Sequence, residues 1–229
     1  SYTWEQIDNG TVGFYDFGPL QQTGATFRSL RPSGTGVRYM PKLSSVLSGN
    51  LTVENPDVDS SWETLSAVPR DLNFGFTVRD NAVGGGGVTL AKKKVSVVDN
   101  GGAFVITSPA SGRTYLAGSS HTVTWNVAGT NQAPINANTV TITLSVDGGS
   151  TYPYTLAKNA ANTGSYEVSL PDFVTAKARV RIEPDNNIFY AINDQNISLT
   201  RKGIILSTDT SDYSVCSESS VTASLVYGT

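Results

Sequence analysis

The 229-residue chain holds one cysteine, one histidine and one methionine. A single thiol, Cys216, can form no intrachain disulfide, so a packed core must hold the fold. Export is not excluded by that, because a chain of this length can bury enough apolar surface without bridges. A single histidine, His121, excludes any metal centre built from several histidines. Charged residues make up only 15% of the chain, with a net charge of −3, against the usual quarter or so. No basic stripe is present, and nucleic acid is excluded as a partner. No apolar run approaches the ~20 residues that cross a bilayer, so no membrane partner is expected. The opening SYTWEQ carries neither an initiator methionine nor a signal-peptide pattern, and the chain is expected to be a processed piece of a longer one.

What the sequence does have is Gly, Ser, Thr and Asn, the residues of turns, between short apolar alternations. Leu72, Phe74, Phe76 and Val78 alternate with polar residues or glycine, the period of a half-buried strand. The same pattern recurs at Val123, Trp125 and Val127, and again at Val140, Ile142, Leu144 and Val146. It continues at Tyr152, Tyr154 and Leu156, at Tyr166, Val168 and Leu170, at Ala178, Val180 and Ile182, and at Ile197 and Leu199. Strand-length segments punctuated every ~8–12 residues predict an all-β chain of tandem immunoglobulin-like (fibronectin III-like) β-sandwich domains. Residues 99–103 read as a linker. They divide an Ig-like unit over 1–102, with a long irregular insertion, from a second over 103–202. Residues 15–66 lack clean alternation, yet a loop of that length is suspect, so poorly patterned strands are expected there. Residues 203–229 restart the pattern and read as the truncated start of a third β domain.

Four glycines, Gly84–Gly87, follow the strand at Leu72–Val78. A phosphate cradle would open a helix. The β-branched run after these glycines predicts a second strand instead, and hence a hairpin turn. Lys92–Lys94 read as a solvated edge that blocks strand association, or as a bulge. Calcium is the metal that suits short acidic loops at sandwich ends, and its candidate ligands are Asp8, Asp57, Asp59 and Asp80. Asn9, Asn81 and Glu63 lie near them in sequence. The competing reading pairs these acids with Arg28, Arg31, Arg38, Arg70 and Arg79. His121 reads as a solvated strand-end residue, and Cys216 as a small buried apolar group. The triplets at Asn9, Asn50 and Asn196 match the glycosylation pattern at the frequency expected by chance. No catalytic residue is assigned.

YTWEQIDNG, FRSLRPSGTGVRYMPKL, WETLSAVPRDLNFGFTVRDNAVGGGG and VITSPASGRTYLAGSSHTVTWNVAGT occur in that order. Together they resemble the region downstream of the catalytic domain in secreted reprolysin-like zinc metallopeptidases of marine and Bacteroidetes-type bacteria. YSVCSESSVT, residues 213–222, resembles the start of the next repeat. VTWNV and NTGSYEVSLP also look like the Ig-like domain of fungal Ser/Thr-rich cell-wall proteins. The peptidase family binds zinc through HExxHxxGxxH, a motif this chain lacks. The resemblance therefore implies a non-catalytic, extracellular accessory or spacer region. Zinc is expected only in an upstream catalytic domain, and the partner is a protein or polysaccharide substrate met through aromatics such as Tyr152, Tyr154, Phe189 or Tyr190. A carbohydrate-binding or adhesin module is the alternative, and an independent enzyme a third reading.

Overall fold

The computed structural model describes residues 1–201 and is all-β, with twelve strands and one five-residue helix among them. The readings for residues 203–229, including Cys216 and the third domain, lie outside the described residues.

The first unit contains one antiparallel sheet in the order β1-β2-β3, formed by β1 (Tyr2–Gln6), β2 (Arg70–Arg79) and β3 (Val88–Val97). The β2–β3 register runs unbroken from Arg70↔Val97 to Arg79↔Val88. Lys92–Lys94 therefore lie on a regular edge strand with no bulge.

The expectation of a two-sheet sandwich is not met in this unit among the described residues. The layer over the sheet is irregular chain, with a single 3-10 turn at Phe14–Asp16, the short helix α1 (Leu43–Leu47) and isolated bridges Tyr2↔Ser33 and Phe27↔Glu63. The strands expected within residues 15–66 do not form, and side chains satisfy that backbone instead. Gln6 Oε1 accepts the N–H groups of Thr26 and Phe27 at 2.8 and 3.0 Å. Arg70 donates to the carbonyls of Gln21 and Gly24 at 2.8 and 2.6 Å. Arg38 donates to the carbonyls of Trp4 and Arg28, each at 2.6 Å. The apolar core is small: Phe27, Leu72 and Phe74 are buried, with Trp4, Met40, Val95 and Val97 packed around them.

The second unit is two facing sheets. The smaller has the order β4-β6-β9, from β4 (Val105–Ser108), β6 (Ser120–Asn126) and β9 (Ser165–Ser169). The larger has the order β5-β12-β10-β7-β8, from β5 (Thr114–Leu116), β7 (Thr139–Ser145), β8 (Tyr154–Ala161), β10 (Thr175–Pro184) and β12 (Ile197–Thr200). The two-residue β11 (Ala191–Ile192) adds to β10.

Between the sheets lie the residues whose alternation the sequence displays, Val123, Trp125 and Val168 from one side and Val140, Ile142, Leu144, Val180 and Ile182 from the other. Each fully buried aliphatic contributes about 1.5–3 kcal/mol, more than a typical net hydrogen bond. Apolar burial thus dominates this unit. Tyr166, expected inside, is 40% exposed on the edge strand β9. Trp125 donates from Nε1 to buried Asn162 Oδ1 at 2.8 Å, and Asn162 Nδ2 donates to Thr130 Oγ1 and the Ala137 carbonyl. Every polar group brought in by the tryptophan and asparagine side chains is thereby paired. At the β7–β8 connection Asp147 accepts from Ser145, from the Thr151 hydroxyl and from the Thr151 N–H. These bonds hold its carboxyl at about 2, the Ser145 bond contributing most.

The two units meet on the outer face of the larger sheet. Arg179 and Arg181 alternate away from the core, as their spacing predicts, yet neither is solvated: the Arg179 residue is 9% exposed and the Arg181 side chain 14%. Arg181 lies over the Tyr152 ring at 4.2 Å and donates to Tyr39 Oη of the first unit at 3.2 Å. Tyr39 also meets Tyr190 edge-on at 5.6 Å. Burial pushes the Tyr190 hydroxyl up to about 12 and raises that of Tyr152 further. Leu47 of α1 sits so close to Gly149 that a Cβ there would collide with it, and Gly149 holds φ at +96°.

Asn162→Leu leaves the Trp125 N–H and the Ala137 carbonyl buried and unpaired. It should lower stability by about 3 kcal/mol, from two groups at about 1–3 kcal/mol each, read as a lower urea midpoint at unchanged m-value. A double-mutant cycle of Tyr39→Phe and Arg181→Ala should give a coupling of about 0.5–1.5 kcal/mol across the seam. Zero coupling would mean that the units do not share this contact in solution.

Candidate interaction site

The glycine loop is a turn that holds an anion of its own. Gly84 and Gly85 adopt φ of +88° and +136°, conformations that favour glycine. The Asp80 carboxylate folds back into the loop and accepts the Ala82 and Gly87 N–H groups, each at 3.0 Å. A Cβ at Gly86 would lie 2.6 Å from Asp80 Oδ1, so the close approach needs glycine. The two N–H bonds, that of Ala82 first, hold the Asp80 carboxyl below the usual carboxylate range. A phosphate entering here would meet a carboxylate already bound to the loop's donors.

The four acids considered for calcium are not brought together. Asp8 accepts from Gln6 Nε2 at 2.6 Å, from the Asn73 N–H at 3.1 Å and from Asn73 Nδ2 at 2.6 Å, and lies 3.8 Å from Arg70. Asp80 lies in the hairpin loop. Asp57 and Asp59 are exposed, and it is the backbone carbonyl of Asp57 that caps Ser60 and the Trp62 indole. Among the described residues no three of His, Cys, Asp and Glu converge as a metal cluster. Glu63 is 2% exposed and meets Arg38 Nη2 at 2.6 Å and the Lys42 N–H at 2.9 Å. The pairing of acids with arginines therefore accounts for Asp8 and Glu63.

His121 is half-buried at the start of β6, its ring against Tyr115 at 4.5 Å and its Nε2 3.1 Å from Ser108 Oγ. Burial lowers its pKa. Ser108 was not legible as its neighbour, because the contact comes from β4 pairing with β6, thirteen residues away in sequence. No carboxylate hydrogen-bonds this ring among the described residues, so the pair lacks the orienting acid of a catalytic triad.

The aromatics expected to meet a substrate are consumed in packing. Tyr152 lies under Arg181, Tyr190 against Tyr39, Phe189 against Phe104 at 5.0 Å and Tyr154 against Phe173 at 6.3 Å. All four are half-buried. Of the exposed rings, Tyr166 and Phe173 are 40% and 42% exposed, Tyr15 is 88% exposed, and Phe14 meets Tyr15 at 88° and the half-buried Trp62 at 56°. Rings so tilted do not form a flat platform.

A shallow, half-open cleft of about 250 Å³ lies in the first unit. The β1 side chains Tyr2 and Trp4 line it, facing the segment 30–43 through Arg31, Val37, Lys42 and Leu43. Two backbone bonds between Tyr2 and Ser33, at 2.9 and 2.8 Å, and the Trp4 Nε1 bond to the Gly36 carbonyl at 2.8 Å hold that segment against the strand edge. Arg38 anchors the base. Nothing in the spacing of residues 30–43 signals this site; it exists because a strand edge and an irregular segment are joined by side chains. Comparison with protein-family models and with curated proteins gave no match to the chain.

Glu63→Ala leaves Arg38 buried without its counter-ion beneath the cleft. The loss should be about 3–5 kcal/mol of stability, measured by urea unfolding. A loss below 1 kcal/mol would show that the pair is not the anchor of segment 30–43.

Proposed function

We propose that this chain is a non-catalytic accessory and spacer region of a larger secreted bacterial protein of the reprolysin-like zinc metallopeptidase type. It holds the catalytic domain at a set distance and orientation from a protein substrate or surface. The two units are read as divergent Ig-like modules. A zinc centre of that family does not fit this chain, because three histidine ligands cannot come from His121 alone.

The observation that carries the reading is the seam. Tyr39 and Leu47 of one unit rest on Arg181 and Gly149 of the other, in a tyrosine–arginine contact that resists bending at residues 99–103. A spacer needs stiffness more than chemistry, and the aromatic and charged side chains of the seam are spent on that contact. The rival reading, a polysaccharide-binding module, is disfavoured by the tilt of the exposed rings Phe14 and Tyr15 and of the half-buried Trp62 beside them, since sugar faces stack on coplanar aromatics.

The test is to incubate the isolated chain with casein, with and without added calcium or a chelator, and to pass it over insoluble cellulose and chitin. No cleavage and no retention are expected. Cleavage by the chain alone would overturn the accessory reading, and retention on the polysaccharides would move it to the carbohydrate-binding class.

A further inference from the structure

We propose that the cleft between β1 and segment 30–43 is a docking site for an acidic, apolar-bearing peptide segment of a partner protein. This extends the accessory reading by naming the chemistry of what is held. The first observation is a local charge imbalance. The chain carries a net charge of −3, yet Arg31 and Lys42 both line this cleft, exposed and in none of the ion pairs among the described residues. The nearby acid, Glu63, is already committed to Arg38. Two cations without counter-ions at the rim of a partly apolar recess attract carboxylates and speed their approach.

The second observation is Arg38 itself. It lines the cleft with its side chain only 9% exposed, and its Nε is buried with no hydrogen-bond partner among the described residues. Buried donors are seldom left unpaired, but this Nε is closed off from the recess, so Arg38 forms its floor and a ligand's carboxylates are met by Arg31 and Lys42.

The walls select the rest of the ligand. Leu30, Val37 and Leu43 are aliphatic, and Tyr2 and Trp4 present rings that also lean on Phe76. At about 250 Å³ the recess is smaller than a typical small-molecule pocket. It suits one apolar side chain flanked by acids. An anionic polysaccharide would satisfy Arg31 and Lys42 but would leave the aliphatic wall facing hydroxyls, so the peptide is the better match.

The experiment is fluorescence anisotropy with a labelled hexapeptide, Asp-Asp-Leu-Phe-Glu-Asp, titrated with the full chain. Saturable binding is expected. The affinity should fall about tenfold in Arg31→Glu/Lys42→Glu, and by a similar factor when Asn and Gln replace the peptide's acids. Raising salt from about 50 to about 500 mM should cost several-fold, because exposed charge pairs are screened. Arg31 and Lys42 are exposed, so the double variant should keep the wild-type circular dichroism and melting temperature. Equal binding of the neutral peptide, or a double variant within twofold of wild type, would overturn the proposal. So would binding of polygalacturonate in place of the peptide. Failure here leaves the spacer reading intact, whereas casein cleavage would sink that reading without touching the cleft.

Discussion

The first unit depends on one constraint: a backbone that forms no second sheet must still find partners for its buried carbonyls and N–H groups. Arg38, Arg70 and Gln6 meet it. The two guanidinium groups together bind four backbone carbonyls, and each also lies against an acid, Glu63 or Asp8. A planar guanidinium with five donors can serve several carbonyls and a carboxylate at once. These side chains do the work that ladder hydrogen bonds do in a sandwich. A buried ion pair of this sort adds little net stability over an apolar substitute, but it is costly to break. It therefore specifies the path of segment 7–69 more than it stabilises it.

The second unit is held by the opposite means. Its core is apolar on both sides, aliphatic apart from Trp125, with Asn162 and Asn193 as satisfied polar insertions. The two strategies meet at the seam, where the outward side of β10 is covered by Tyr39 and α1. Arg179 donates to Asn196 and the Asn193 carbonyl at 2.7 and 2.6 Å, while Arg181 divides its donors between Glu183 of its own unit and Tyr39 of the other. One strand thus carries a core face and an interface face, and its alternation serves both.

The sequence was most legible where burial has period two. Val123, Trp125, Val140, Ile142, Leu144, Val180 and Ile182 announce their positions, and so does the hairpin around Gly84–Gly87. Legibility failed where long-range side-chain bonds replace periodicity. Nothing local in FRSLRPSGTGVRYMPKL tells that Arg38 reaches Glu63, 25 residues on, and such side-chain bonds take the place of the strands expected in residues 15–66. The place of Tyr152 and Tyr190 is hidden for a related reason. Tyr152 belongs to an apolar alternation and Tyr190 to none, and only the fold shows that Tyr39 and Arg181 cover them at the seam. Proximity in sequence singles out the calcium acids, but Asp8 and Asp80 bind N–H donors that spacing cannot reveal.

The larger sheet ends in β5, its earliest strand in sequence. β5 joins that sheet only through β12, by a parallel pairing of Ser198, Leu199 and Thr200 with Thr114, Tyr115 and Leu116. During vectorial synthesis, residues 114–116 leave the ribosome long before their partner strand does. They have no backbone mate in that sheet until translation has passed residue 200. The sandwich closes late, by its most distant pairing, and a nascent chain halted short of Ile197 would keep an open sheet edge along β10.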